Sequence, residues 1–247
     1  MKVALLFSGE ARFCKDFDSQ LENLQGADQI DWYCLFWNKT NEDDQRISPF
    51  WDLTDPMGFI KQHLPKNHSI QHFETANTSL VKPIPQEYPP FYIPSSLGMW
   101  EQYQALKIIN SRIAIPDYDL VIRTRPDIGL DRPLDLKAIQ RQLVTMPSAI
   151  VIPKNERRAK EPQFCDQFAI GIPETMNKYA NAVDLFDWAF KQGIPWNPEW
   201  IMQHVLASQS IIWPMTEFEI ILRKEGRWVP NGKGWDDFYP DFGRWTI

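Results

Sequence analysis

The sequence predicts an α/β fold, a mixed central sheet flanked by helices, and three observations predict it. Over residues 1–130, short runs rich in β-branched and aromatic residues alternate with segments of helical periodicity. After residue 130, short strand-like runs mix with helices, which adds an antiparallel part to the sheet. The chain of 247 residues suits one large domain with no internal repeat and no low-complexity tract. A domain of this size buries about 70% of its unfolded surface, enough for a proper core.

Residues 2–7 (KVALLF) form an apolar run ended by Ser-Gly, the pattern of a buried first strand. Residues 8–12 read as a loop, and residues 16–24 as an amphipathic helix with Phe17, Leu21 and Leu24 on one side. Residues 31–37 (DWYCLFW) are a second strand, and the polar residues 38–48 a surface loop. Thr54-Asp55-Pro56 opens a helix, with a capping residue, an acid, and a proline whose missing N–H costs nothing there. Residues 69–73 are a third strand. Residues 82–94 carry five prolines and three aromatics, so they are neither helix interior nor central strand. Ser95-Ser96 then caps a helix over 97–113, with Trp100, Tyr103, Leu106, Ile109 and Ile113 near helical spacing. Residues 119–124 (DLVIRT), 149–152 and 165–172 (CDQFAIGI) are strands, 173–190 and 198–207 helices, and 210–213 and 218–222 short strands. The tail, 226–247, rich in Gly, Trp and Asp, reads as irregular.

Composition removes several function classes. A net charge of −6 leaves no basic face of the size that DNA or RNA requires. The three cysteines, Cys14, Cys34 and Cys165, are widely spaced and form no Cys-x-x-Cys, which argues against a disulfide framework or a zinc knuckle and for a reducing compartment. The apolar start ends at Ser8, too early for a secretion signal, and no stretch approaches the ~18 apolar residues of a membrane span. A cytoplasmic protein with at most peripheral membrane contact is expected. The 11 Trp and 15 Phe are many for this length. Most belong to the core, although flat sugar rings are also held by such side chains.

Three constellations carry chemistry. In Ser8-Gly9-Glu10-Ala11-Arg12 a strand runs into a glycine turn before a helix, the place where open α/β sheets bind ligands. Ser8 and Gly9 bring backbone close to a ligand, and Arg12 offers a fork for phosphate or a base carbonyl. One glycine is too few for a dinucleotide fingerprint, and the Gly-Lys-Ser/Thr of a Walker loop is missing; the plainer reading is an ordinary turn. In Arg123-Thr124-Arg125-Pro126-Asp127, strand alternation places Arg123, Arg125 and Asp127 on one side if the strand geometry persists. Either they form a structural Arg–Asp pair, or they combine cations for a diphosphate with a carboxylate for Mn²⁺, Mg²⁺ or a ribose hydroxyl. Asp166-Gln167 stands at the start of a strand, as a turn or as a site.

The order of these motifs resembles glycosyltransferases of the GT-A fold. A long helix, a hydrophobic strand and a strand-end carboxylate are their layout. V-I-R-T-R-P-D-I is similar to the Arg-x-Arg-x-Asp variant of bacterial and viral surface-polysaccharide transferases, including the WavE-type lipopolysaccharide synthesis family. L-L-F-S-G-E-A-R resembles their first strand and nucleotide loop, and C-D-Q-F-A-I-G with the later P-E-W their sugar-facing segment. The resemblance covers residues 1–25, 96–130 and 164–210. It implies a single GT-A-like domain, with residues 1–130 as nucleotide-binding half and 131–247 as acceptor half and C-terminal extension. It implies transfer of a sugar from a nucleotide-diphosphate sugar to a glycan or other hydroxyl acceptor, in surface polysaccharide or glycan synthesis. Ser8, Gly9, Arg12, Arg123, Arg125, Asp127 and Gln167 would bind the donor, Asp127 a divalent metal (Mn or Mg), and Asp166 and Arg125 would be catalytic. The departure is Arg125-Pro126-Asp127 in place of Asp-x-Asp: one carboxylate needs more oxygens from diphosphate and water, or arginines take the metal's place.

The remaining candidates have bland readings beside the sharp ones. The basic residues 154–160 (KNERRAK) either fold over a donor or form a solvated loop. Asp236, Asp237 and Asp241 either supply a ligand or pack as an extension. His68 and His72 lie on a strand and share no helix face, so they make no metal pair. His204 reads as a core or interface residue, and Glu199 as a helix-start acid that favours the dipole, or as a site residue. The alternative functions are a non-catalytic nucleotide- or carbohydrate-binding module on the same fold and a nucleotidyltransferase. The latter and a methyltransferase are disfavoured by the missing Gly-rich first loop.

Overall fold

The computed structural model describes residues 1–10, 21–37, 55–76, 93–113, 117–126, 128–153, 164–194, 198–213, 220–224 and 227–230. The strands are β1 (Lys2–Glu10), β2 (Leu24–Gln25), β3 (Gln29–Trp37), β4 (His68–Ala76), β5 (Leu120–Thr124), β6 (Ile128–Leu130), β7 (Leu134–Asp135), β8 (Ile150–Val151), β9 (Ala169–Gly171), β10 (Ile220–Lys224) and β11 (Arg227–Pro230). The helices are α1 (Pro56–His63), α2 (Ile93–Asn110), α3 (Leu136–Thr145), α4 (Pro173–Ala180), α5 (Phe186–Lys191) and α6 (Pro198–Ser208), with a 3₁₀ turn at Ala182–Leu185.

Six strands make the main sheet in the order β4-β3-β1-β5-β9-β8. β4, β3, β1 and β5 are parallel; β9 runs antiparallel to both β5 and β8. A second, antiparallel sheet has the order β11-β10-β6. The α/β class and the added antiparallel part are therefore as the sequence predicts.

The parallel strands β1, β3 and β5 are apolar over most of their length because both faces are covered. Alternation sends Ala4, Leu6, Leu35 and Val121 into one core with Tyr103, Leu106 and Ile109 of α2, Tyr179 of α4, and Ile201 and Val205 of α6. It sends Val3, Leu5, Trp32, Phe36 and Ile122 into the other, with Ile60 of α1 and Leu136 and Leu143 of α3. Each fully buried aliphatic side chain in these cores contributes roughly 1.5–3 kcal/mol of transfer free energy. The chain first winds outwards from β1 through β3 to β4, with Leu21 and Ile60 on the second face. It then crosses back over the first face through α2 to reach β5 on the other side of β1. The order therefore reverses between β1 and β5, and the carboxyl ends at such a reversal are where open α/β sheets bind ligands.

Local chemistry fixes the boundaries, and several differ from the sequence expectation. β1 continues through Ser8 and Gly9 to Glu10, because β3 is long enough to pair it up to Trp37; the expected loop at 8–12 is strand in its described part. Gly9 has φ +116°, a conformation that L side chains rarely adopt, so glycine is needed where this strand ends. Asp55, rather than Thr54, caps α1, its Oδ1 accepting from the Gly58 N–H at 2.8 Å. α2 begins at Ile93, ahead of Ser95-Ser96, so those serines lie within the helix and do not cap it. The expected helix over 173–190 is broken at Asn181, whose side-chain amide donates to the Asn177 carbonyl at 2.8 Å and competes with the helical pattern. Of the expected strand over 165–172, only Ala169–Gly171 pairs. Residues 210–213 give one bridge, Ile212 to Ala149, and the tail contains β11 where irregular chain is expected. The expected loops at 38–48 and 82–92, most of the 16–24 helix, and the tail beyond 230 lie outside the described residues. No described helix is long and apolar enough to cross a membrane.

Candidate functional site

The carboxyl ends of β3, β1 and β5 place three polar side chains on the α2 face. Leu6 lies opposite Arg123 in the ladder, so Ser8 is one step further along the same face, and Trp37 of β3 a further step. All three are buried, and Ser8 Oγ, Trp37 Nε1 and Arg123 Nε and Nη2 have no hydrogen-bond partner among the described residues. Buried polar groups are nearly always satisfied, so such a concentration of unspent donors demands an explanation.

Arg123 is the centre of the arrangement. It is 0% exposed, and its Nη1 donates to the main-chain carbonyl of Asp166. Tyr179 of α4, also fully buried, donates its hydroxyl to the same carbonyl at 3.3 Å. The Asp166 carbonyl is thus gripped from beneath by a cation and a phenol. A buried guanidinium costs several kcal/mol unless its environment answers it; here the Asp166 carbonyl does so directly. The Asp166 carboxylate accepts no hydrogen bond from any described residue, and Asp166 retains 6% exposure.

The surrounding groups stay neutral. Burial pushes the Tyr103 hydroxyl well above the ordinary phenol range, with Tyr179 and Asp166 adding to the effect and Arg123 opposing it. Burial likewise raises Tyr179, against the pull of Arg123. Both phenols are donors at neutral pH. Burial, with the Asp166 charge and a smaller contribution from Glu199, pushes the Cys165 thiol up to about 12. Cys165 is therefore a small buried apolar side chain and no thiolate nucleophile.

Ser8, Gly9, Arg123, Asp166 and Gln167 come together at this end of the sheet; the Gln167 Oε1 is buried without a partner among the described residues. The expected row of Arg123, Arg125 and Asp127 is not produced by strand geometry. β5 ends at Thr124, and the Arg125 carbonyl accepts from the Ile128 N–H at 3.4 Å as the chain turns. Proline at 126 removes a ladder donor just where the strand stops. Arg125 itself is partly exposed at that turn. Arg12 and Asp127 lie outside the described residues, as do 154–160, Asp236, Asp237 and Asp241. Among the described residues no three His, Cys, Asp or Glu side chains group to hold a metal, so these residues alone do not compose the expected Mn or Mg site. His68 accepts at Nδ1 from the Trp32 indole at 2.9 Å, and His72 lies 3.3 Å from Glu74 Oε2.

Sequence reasoning passed over Tyr103 and Tyr179 as site neighbours. The signal was present: Tyr103 interrupts an apolar helical stripe with a hydroxyl that, once buried, seeks a partner. Compared with known proteins, the chain matches no family model and no curated protein.

Proposed function

We propose that this chain transfers a sugar from a nucleotide-diphosphate sugar to a hydroxyl acceptor, in glycan or surface-polysaccharide synthesis. The observation that carries the reading is the Asp166 loop, gripped through its carbonyl by Arg123 and Tyr179 at the strand ends where the sheet order reverses. Ligands of open α/β sheets bind at such reversals. In this reading the nucleotide lies along Ser8 and Gly9, where β1 ends without a bulky side chain. Arg12, Arg125, Asp127 and Gln167 complete the donor site, on the strength of the sequence resemblance.

The chemistry follows from these positions. The acceptor oxygen forms a bond to the anomeric carbon as the bond from that carbon to the diphosphate breaks. The acceptor proton passes to the Asp166 carboxylate, and the electron pair leaves on the diphosphate. Asp166 is held at a fixed place without spending its carboxylate oxygens on described neighbours, as a general base requires. Arg123 lies beneath the reacting groups and contributes positive potential through a low-dielectric interior to the departing diphosphate.

Thermal shift against nucleoside diphosphates and nucleotide sugars, with and without Mn²⁺, tests the reading. A ligand at 100 times its dissociation constant stabilises the fold by about 2.7 kcal/mol. One nucleotide class is expected to shift the melt. Asp166→Asn is expected to keep that shift while losing about 10²-fold or more in transfer rate, the scale of a lost general base. No shift with any nucleotide, or full activity in the Asp166→Asn protein, removes the proposal.

A further inference from the structure

On the outer side of α5 and α6 two tryptophans reach solvent. Trp188 is 40% exposed and Trp200 37%. Trp188 stacks on His204, with ring centroids 5.1 Å apart and an interplanar angle of 27°. Trp200 and His204 are four residues apart on α6, so they share one side of that helix. The three rings therefore form a row across two packed helices. His204 holds one face of Trp188 and fixes its orientation, leaving the rest of the indole open. Gln203 Oε1 and His204 Nε2 are buried close by without hydrogen-bond partners among the described residues.

We propose that this row is a binding platform for the ring faces of a neutral saccharide. Its size fits such a ligand. A tryptophan carries up to about 250 Å² of contact surface, so the two exposed parts offer roughly 200 Å². A stable protein partner takes about 800 Å² per side, roughly four times as much. Its chemistry fits as well. Pyranose rings present apolar C–H faces to aromatic side chains and hydroxyls to polar neighbours. Beside Trp188, Lys191 is paired to Asp187 at 2.7 Å, so the local charge is balanced and that cation draws in no phosphate or anionic lipid; a neutral ligand is the better match. A saccharide held there would serve as the acceptor; that use, unlike the binding itself, rests on the glycosyl-transfer reading.

The test is saturation-transfer NMR and tryptophan fluorescence with neutral oligosaccharides of glucose, galactose, mannose and N-acetylglucosamine, no nucleotide being present. At least one is expected to bind, and Trp188→Ala to weaken it about tenfold, the upper range for one aromatic contact. Trp188→Tyr is expected to recover part of the loss, and the folded fraction of each variant, measured by its melting curve, separates lost binding from lost protein. Wild-type protein that binds none of the sugars, or a Trp188→Ala protein that binds them equally, overturns the platform. So does Trp188-dependent binding to phosphatidylcholine vesicles in place of sugars. Sugar binding without any nucleotide shift keeps the platform and removes the donor reading. A nucleotide shift without sugar binding does the reverse.

Discussion

Asp166 illustrates how a single residue is placed by groups that never touch its side chain. Arg123 and Tyr179 both hold its carbonyl and so fix the backbone from which the carboxylate projects. Tyr179→Phe deletes one hydroxyl from a fully buried ring and leaves the ring in place. A neutral hydrogen bond of this kind is worth about 1 kcal/mol, so the fold survives. The kinetic consequence is expected to be selective. On the glycosyl-transfer reading, turnover falls several-fold with a smaller change in the donor KM, because the lost bond loosens Asp166 first and Gln167 only through the chain that follows it. Steady-state kinetics at saturating donor, with the folded fraction measured alongside, separates this from a general loss of active protein. Arg123 itself was legible in the sequence as an arginine needing an explanation at a strand end. Its depth was not, because strand parity gives a face and says nothing about the distance to the surface.

Strand pairing supplies the next scale, and here the edge pair β3–β4 carries a titrating contact. Burial holds His68 down to about 4, and its Nδ1 accepts the Trp32 indole N–H. In the unfolded chain the imidazole titrates near 6.5. The folded value lies below the unfolded one, so the stability is fully present above about pH 6.5. It is lost progressively as the pH falls towards 4, by on the order of 3 kcal/mol over that window. Urea midpoints measured between about pH 7 and pH 4.5 are expected to fall, and His68→Gln to flatten that dependence. An unchanged slope in the His68→Gln protein would assign the acid sensitivity elsewhere. The same element shows what sequence reading reaches. The apolar runs of β1, β3 and β5 are visible because both faces of each are buried, whereas β4, half-exposed at the edge, is visible only over part of its length. The two- and three-residue strands β2, β6 and β7 exist through their partners alone, and no local pattern announces them. α2 reads well from its stripe of Trp100, Tyr103, Leu106 and Ile109, but its start does not, since Ser95-Ser96 imitates a cap.

Across the whole molecule, the two ends of the parallel sheet do different work. The carboxyl end holds unspent donors, whereas the amino end gathers its polar groups into one network. There the buried Asp31 accepts from Gln29 at 2.8 Å, Ser69 at 2.5 Å, Gln71 at 3.2 Å and Tyr118 at 2.9 Å, with Lys2 Nζ 3.2 Å away. Tyr33 bonds Tyr118 in turn at 2.8 Å, and Lys2 lies 4.6 Å above the Tyr118 ring. One carboxylate thereby ties β1, β3, β4 and the segment leading into β5. Burial alone would raise the Asp31 carboxyl, but hydrogen bonds from Ser69, Gln29, Tyr118 and Lys2 outweigh it and bring the value down to about 2. The folded value is again below the unfolded 3.8, so this contribution is present above about pH 4 and is lost as the pH falls towards 2. Asp31→Asn retains the shape, removes the charge and turns one acceptor into a donor facing other donors. It is expected to destabilise the fold at neutral pH by about 3 kcal/mol, the scale for breaking a buried charged network. On the glycosyl-transfer reading it is also expected to leave the nucleotide-induced shift of the melt intact, because the network stands at the opposite end of the sheet from Ser8 and Asp166. Urea unfolding and thermal shift on the same protein measure both quantities. A variant as stable as the wild type would mean that the network merely satisfies Asp31 without stabilising the sheet, and a lost nucleotide shift in a folded variant would couple the two ends.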